Sequence, residues 1–195
     1  MPRKNRIQSS SGVYHWINRG ITKKDLFHKA PDYDFFLKLL AEYKNLYNIH
    51  IYHYCLMTNH VHLLINAPST YELSKFSQYV QRRYAYYYSK IYHWGGGIFQ
   101  GRYKSLPVDK DTYLLECGRY IERNPIKAGL GNKPEEYPYS SYRYYAEGEE
   151  DALITASPAY LDISGTPYSR QELYRNYVTE LRSQEILETK DKIPF

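Results

Sequence analysis

Cysteine is scarce in this chain: Cys55 and Cys117 are the only two, far apart and in no Cys-x-x-Cys pattern. That usage gives no support to a zinc ribbon or a thiol redox pair, and it suits a reducing cytoplasm. Long apolar runs are missing too; none approaches the roughly 20 residues that a membrane-spanning helix needs, so no membrane partner is expected. The N-terminus, Met1-Pro2-Arg3-Lys4-Asn5-Arg6, is basic, but no apolar segment follows it to make a secretory signal. Gly95-Gly96-Gly97 lacks the Lys-Ser/Thr ending of a nucleotide-binding loop and reads as a hinge.

Tyrosine, by contrast, is abundant, with 25 in 195 residues. Its flat apolar body and polar tip suit a wet, base-stacking surface better than a dry core. The net charge of +5 and a pI near 8.9 point in the same direction, toward a polyanion. The length fits one domain with an appendage. An acidic break, Glu147-Gly148-Glu149-Glu150-Asp151, divides a domain over 1–146 from an extension over 147–195.

Periodicity orders the elements. Val13 to Gly20 alternates as a strand; Phe35, Phe36, Leu39, Leu40, Tyr43 and Leu46 recur at helical spacing after Pro31-Asp32. Ile49 to Met57 and His60 to Ile65 form a hairpin about Thr58-Asn59. A second helix, capped by Ser69 or Thr70, runs to about Ile91 with Leu73, Phe76, Val80 and Tyr84 on its core face. Tyr103 to Val108 is a fourth strand. A third helix, capped by Asp109 or Asp111, carries Tyr113, Tyr120 and Ile121 and is expected to end at Asn124, because Pro125 disfavours helical geometry before it. Ile126 to Gly129 resumes as a short turn, and Tyr168 to Leu187 reads as a helix of the extension. Strand, helix, strand, strand, helix, strand is the order of an α+β, ferredoxin-like split βαβ fold: an antiparallel sheet with helices on one face, plus a C-terminal helical extension.

Chemistry concentrates in two stretches. In Asn59-His60-Val61-His62-Leu63-Leu64 the alternation of a strand sets His60 and His62 on one face. Packed or hydrogen-bonded histidines are the commoner case, but an apolar strand gives two adjacent imidazoles few other partners than a metal. In Tyr120-Ile121-Glu122-Arg123-Asn124-Pro125 a phenol and an amide stand one helical turn apart. Tyr113, seven residues earlier on nearly the same face, is the rival phenol. Arg82 and Arg83, interleaved with tyrosines on the second helix, and Arg102 and Lys104 on the fourth strand fit a phosphate backbone. The plainer reading of each is ordinary solvated surface.

With Phe99-Gln100-Gly101-Arg102-Tyr103 and the run from Tyr120 to Gly129, these motifs resemble the single-tyrosine HUH transposases, in particular the REP-associated tyrosine transposase branch. The likeness covers roughly Val13 to Arg143. It implies that His60 and His62 are metal ligands, that Tyr120 is the nucleophile, and that Asn124 stands in the place of the third protein ligand, where relatives outside the branch have glutamine.

The implied activity is cleavage and rejoining of single-stranded or hairpin DNA through a 5′-phosphotyrosine, with Mg2+ or Mn2+ as cofactor, by a bacterial cytoplasmic monomer or homodimer. Lys127 is a cation within reach of that site or of phosphate. Two other classes keep the same surface: a nucleic-acid-binding module without turnover, and a metal-dependent hydrolase that uses water.

Overall fold

The computed structural model describes residues 7–109 and 111–180; the basic N-terminal run and the end of the expected final helix lie outside the described residues. Four strands, β1 (Val13–Arg19), β2 (His50–Met57), β3 (His60–Asn66) and β4 (Lys104–Pro107), form one antiparallel sheet in the order β2-β3-β1-β4. Helices α1 (Ala30–Leu46) and α2 (Thr70–Tyr92) supply the crossovers of a split βαβ fold. Ser69 caps α2 by accepting from the Tyr71 amide at 3.0 Å.

α1 and α2 lie together on one face. Tyr14, Trp16, Tyr54, Leu56, Val61, Leu63 and Ile65 alternate onto it and pack with Phe36, Leu39, Leu40, Leu73, Phe76, Val80 and Tyr84. Full burial of each such side chain contributes about 1.5–3 kcal/mol relative to exposure. The opposite face, with Val13, Cys55, Met57 and Leu64, receives α3 (Asp111–Lys127) through Leu114, Cys117 and Ile121. The sheet is thus covered on both sides, and whatever β1 and β3 send to the second face meets α3.

α3 departs from expectation at its C-terminal end. It runs through Pro125 to Lys127 instead of ending at Asn124. Pro125 has no N–H for the Ile121 carbonyl, but the Asn124 amide nitrogen donates to that carbonyl at 3.2 Å and to Tyr120 O at 2.9 Å, so the helix continues over the gap. The stop comes at Gly129, at φ 70°. The Asp109 carboxylate accepts from Ser9 Oγ at 2.7 Å and the Ser10 amide at 2.8 Å, tying down the segment before β1.

After α3 come a short 3-10 turn (Pro134–Glu136), α4 (Tyr142–Glu147), α5 (Pro158–Leu161) and α6 (Pro167–Thr179). α6 ends at Thr179, and the expected stretch from there to Leu187 lies, beyond Glu180, outside the described residues. Tyr142, Tyr145, Tyr160, Tyr174 and Val178 form a third cluster there, and Thr155 donates to Ile51 O at 2.9 Å along the edge of β2. Tyr84, Tyr137 and Tyr145 are core residues; Tyr84 lies on the core face expected of α2, while Tyr137 and Tyr145 correct the surface reading of the tyrosines. Each hydroxyl donates to a backbone carbonyl, those of Leu26, Leu56 and Tyr52, at 2.6 Å, which satisfies the one polar atom that burial would otherwise strand.

Candidate active site

Register decides which side chains meet. In the β1–β3 ladder Ile17 opposes His62, Arg19 opposes His60 and His15 opposes Leu64. Opposed residues share a face, so three imidazoles and a guanidinium emerge on the side that α3 covers. The rings of His60 and His62 lie 4.9 Å apart at 85°. Tyr120, half-buried on α3, meets His62 edge-on at 5.8 Å and His15 at 5.8 Å. The histidines of the hairpin and the phenol of the remote helix therefore share one site.

His15 was not singled out from the sequence. Its Nε2 is 2.9 Å from His62 Nδ1, both rings buried. Period-two alternation places His15 beside Ile17 and Arg19, but only the long-range register reveals that their face is that of His62. Arg19 is the second residue missed, and for the same reason.

The hydrogen bonds select tautomers. His60 Nδ1 is 2.6 Å from the Asn59 amide oxygen, which can only accept, so the ring proton sits on Nδ1 and the lone pair on Nε2. His62 and His15 share one proton between Nδ1 and Nε2; with His62 as donor, its Nε2 also carries a lone pair. Burial holds His15 and His60 to a pKa of about 4, the neighbouring Arg19 adding to the effect at His60. Burial, then His15 and His60, push His62 well below the usual imidazole value. Neutral rings are the form that ligates cations.

These residues fit a divalent cation: two neutral imidazoles, each with Nδ1 engaged in a hydrogen bond, the arrangement that orients metal-binding histidines. Among the described residues no group of three or more His, Cys, Asp or Glu could hold a metal ion, so an ion here must complete its shell from an amide, water or substrate oxygens. Asn124 is one turn beyond Tyr120. Its nitrogen is engaged on α3, so a cation would take its carbonyl oxygen.

Cations surround the site. Lys127 Nζ lies 4.9 Å from the centroid of the Tyr120 ring, a cation–π contact. Lys104 pairs with Ile17 at the sheet edge, on the histidine face, and is exposed; Arg102 is exposed in the turn before β4. Arg82 and Arg83 are exposed on α2, which packs the other face, so they do not join the histidines. Tyr113 is half-buried against the apolar cluster beneath α3.

Among solved structures, a REP-associated tyrosine transposase bound to a REP hairpin is similar in fold, with a TM-score of 0.64 at 14% identity over 80% of this chain and 93% of that one. A transposase candidate from Deinococcus radiodurans gives a TM-score of 0.42 at 20% identity, over 63% of this chain and 95% of that one. No curated protein matches this chain. The family model described as "Transposase IS200 like" matches residues 8–124, which take in the whole sheet, both crossover helices and α3 as far as Asn124. With more than half of its length inside that match, the chain belongs to the IS200-like transposase family.

Proposed function

We propose that this transposase cuts and rejoins single-stranded or hairpin DNA with Tyr120 as its nucleophile, and that His60 and His62, with the Asn124 oxygen, hold the Mg2+ or Mn2+ it needs. The observation that carries this reading is the meeting of Tyr120 with His62 at 5.8 Å across elements distant in the chain. Hairpin DNA as substrate is carried over from the structurally similar transposase, which was solved on a REP hairpin.

The phenolic oxygen attacks phosphorus, a 5′-phosphotyrosyl ester forms, and the bond from phosphorus to the 3′-oxygen breaks. The proton lost by the phenol is matched by one taken up at the departing 3′-hydroxyl. Lys127 lies against the phenol, whose ordinary pKa is about 10. Arg19 and Lys104 lie on the same face and suit the flanking phosphates. The bound cation would neutralise the scissile phosphate and orient it for in-line attack. Because the ester conserves the free energy of the broken bond, attack by a 3′-hydroxyl rejoins the strand without a nucleotide cofactor. Arg102 contacts the same strand; Arg82 and Arg83, on the far side, contact DNA flanking it.

The test is incubation of a labelled hairpin oligonucleotide with the protein and Mn2+, followed by denaturing electrophoresis. A covalent protein–DNA band is expected, lost in Tyr120→Phe and kept in Tyr113→Phe. Cleavage that persists in Tyr120→Phe would instead mean hydrolysis by water, and binding without any cleavage a module lacking turnover.

A further inference from the structure

Helical geometry divides α3 into two flanks. Tyr113, Tyr120, Asn124 and Lys127 follow one; Gly118 and Glu122 follow the other, roughly 200° of rotation from Tyr120 to Glu122. The second flank is fastened with unusual density. Glu122 is wholly buried, and its carboxylate accepts from three elements: His53 Nδ1 of β2 at 2.9 Å, Ser141 Oγ at 2.6 Å and the Tyr174 hydroxyl of α6 at 2.8 Å. Gly118 lies so close to β2 that a Cβ there would sit 2.7 Å from the His53 ring. On the outer side of α3, Arg119 donates to Tyr177 O at 2.8 Å and to Glu180 O. Arg123 donates to Val178 O at 2.6 Å, so both guanidinium groups hold the carboxyl end of α6. Tyr177 returns a bond to Glu116 at 2.5 Å.

A buried carboxylate is costly to desolvate unless its partners compensate, and here its three donors converge from separate elements. With Glu122 fastened, α3 cannot roll about its axis, and the roll of α3 is what aims Tyr120 at the imidazoles. We propose that Glu122 is a positioning residue for the Tyr120 hydroxyl, and that α6 is a latch that holds the nucleophile helix through Tyr174. This inference rests on Tyr120 being the nucleophile.

The experiment compares the full-length protein with Glu122→Gln and Tyr174→Phe, which keep shape and remove the charge or the donor, and with Tyr168→Phe, an exposed residue of the same helix, as control. Each variant is checked for a cooperative unfolding transition and for its hairpin Kd. The rate of covalent adduct formation is then read in a single turnover at saturating DNA. The latch predicts an adduct rate lower by about 10²-fold in Glu122→Gln, as expected for a nucleophile displaced by an ångström, with Kd unchanged. It also predicts, without any turnover, a second 19F resonance from 3-fluorotyrosine at position 120 in Glu122→Gln and Tyr174→Phe, where the wild type and Tyr168→Phe show one. A wild-type rate and a single unshifted resonance in folded Glu122→Gln overturn the latch and leave the nucleophile assignment intact. An adduct that survives in Tyr120→Phe overturns both.

Discussion

Two imidazoles that hold one proton between them, as His15 and His62 do at 2.9 Å, cannot both be neutral acceptors at the shared position, and each fixes the rotation of the other. The consequence is measurable as proton linkage. The folded-state pKa of His15 and of His60 is about 4, below the ordinary 6.5, so the stability tied to their neutral rings is complete above about pH 6.5 and is lost as pH falls toward 4. The urea midpoint of metal-free protein is therefore expected to drop between about pH 7 and about pH 4.5, and to drop less in His15→Gln, which has no group to titrate. Burial would raise the carboxyl of Asp32, but the bonds it accepts from Tyr92, the His28 amide, Tyr87 and the Lys29 amide together hold it low, so it adds its loss only below the usual carboxylate range, which separates the two effects. A midpoint flat over that interval would remove buried neutral histidines from the account.

At the level of elements, Asn124 has two separable duties on α3. Its nitrogen serves the Ile121 carbonyl that Pro125 leaves without a partner, while its oxygen is the atom proposed for the cation. Asn124→Asp keeps an oxygen and removes the donor, so it should destabilise the protein by about 1 kcal/mol. In a Pro125→Ala background a backbone N–H is restored to the Ile121 carbonyl, and the cost of Asn124→Asp should shrink. A double-mutant cycle by urea unfolding reads the difference; equal costs in both backgrounds would refute the division of duties.

This pair also marks where sequence reading stops. α1, α2 and the β2–β3 hairpin were legible because apolar spacing and capping are local, and Leu73, Phe76, Val80 and Tyr84 are buried as their spacing requires. Passage of α3 through Pro125 was not, since it depends on where one amide side chain turns. The convergence of Tyr120 on His62 was legible in the order of elements, which sets the third helix just after the last strand, and in the likeness to a family; His15 was not legible at all, because its place depends on contacts between residues far apart in the chain. Likewise the burial of Tyr137 and Tyr145 was not legible, because it depends on the backbone carbonyls of Leu56 and Tyr52 lying beneath their hydroxyls.

Across the whole molecule, cations appear on both sides of the covered sheet: Lys104 and Lys127 with the histidines, Arg82 and Arg83 on α2. If DNA contacts the first set during cleavage, Lys104→Ala should weaken binding of an unstructured strand for every sequence tried and reduce the slope of log K against log salt by about 0.7. Anisotropy titrations at several salt concentrations measure this. An unchanged slope would take Lys104 out of the phosphate path. The described helices include none long and apolar enough to cross a membrane.

The phenol and the imidazoles are contributed by stretches made at different moments of synthesis: β1 and β3 leave the ribosome first, α3 later, and Tyr174 of α6 after that. If Tyr120 is the nucleophile, a nascent polypeptide that has already formed its histidine hairpin does not yet carry it. On that reading, nicking competence arrives late, once α3 has docked on the sheet.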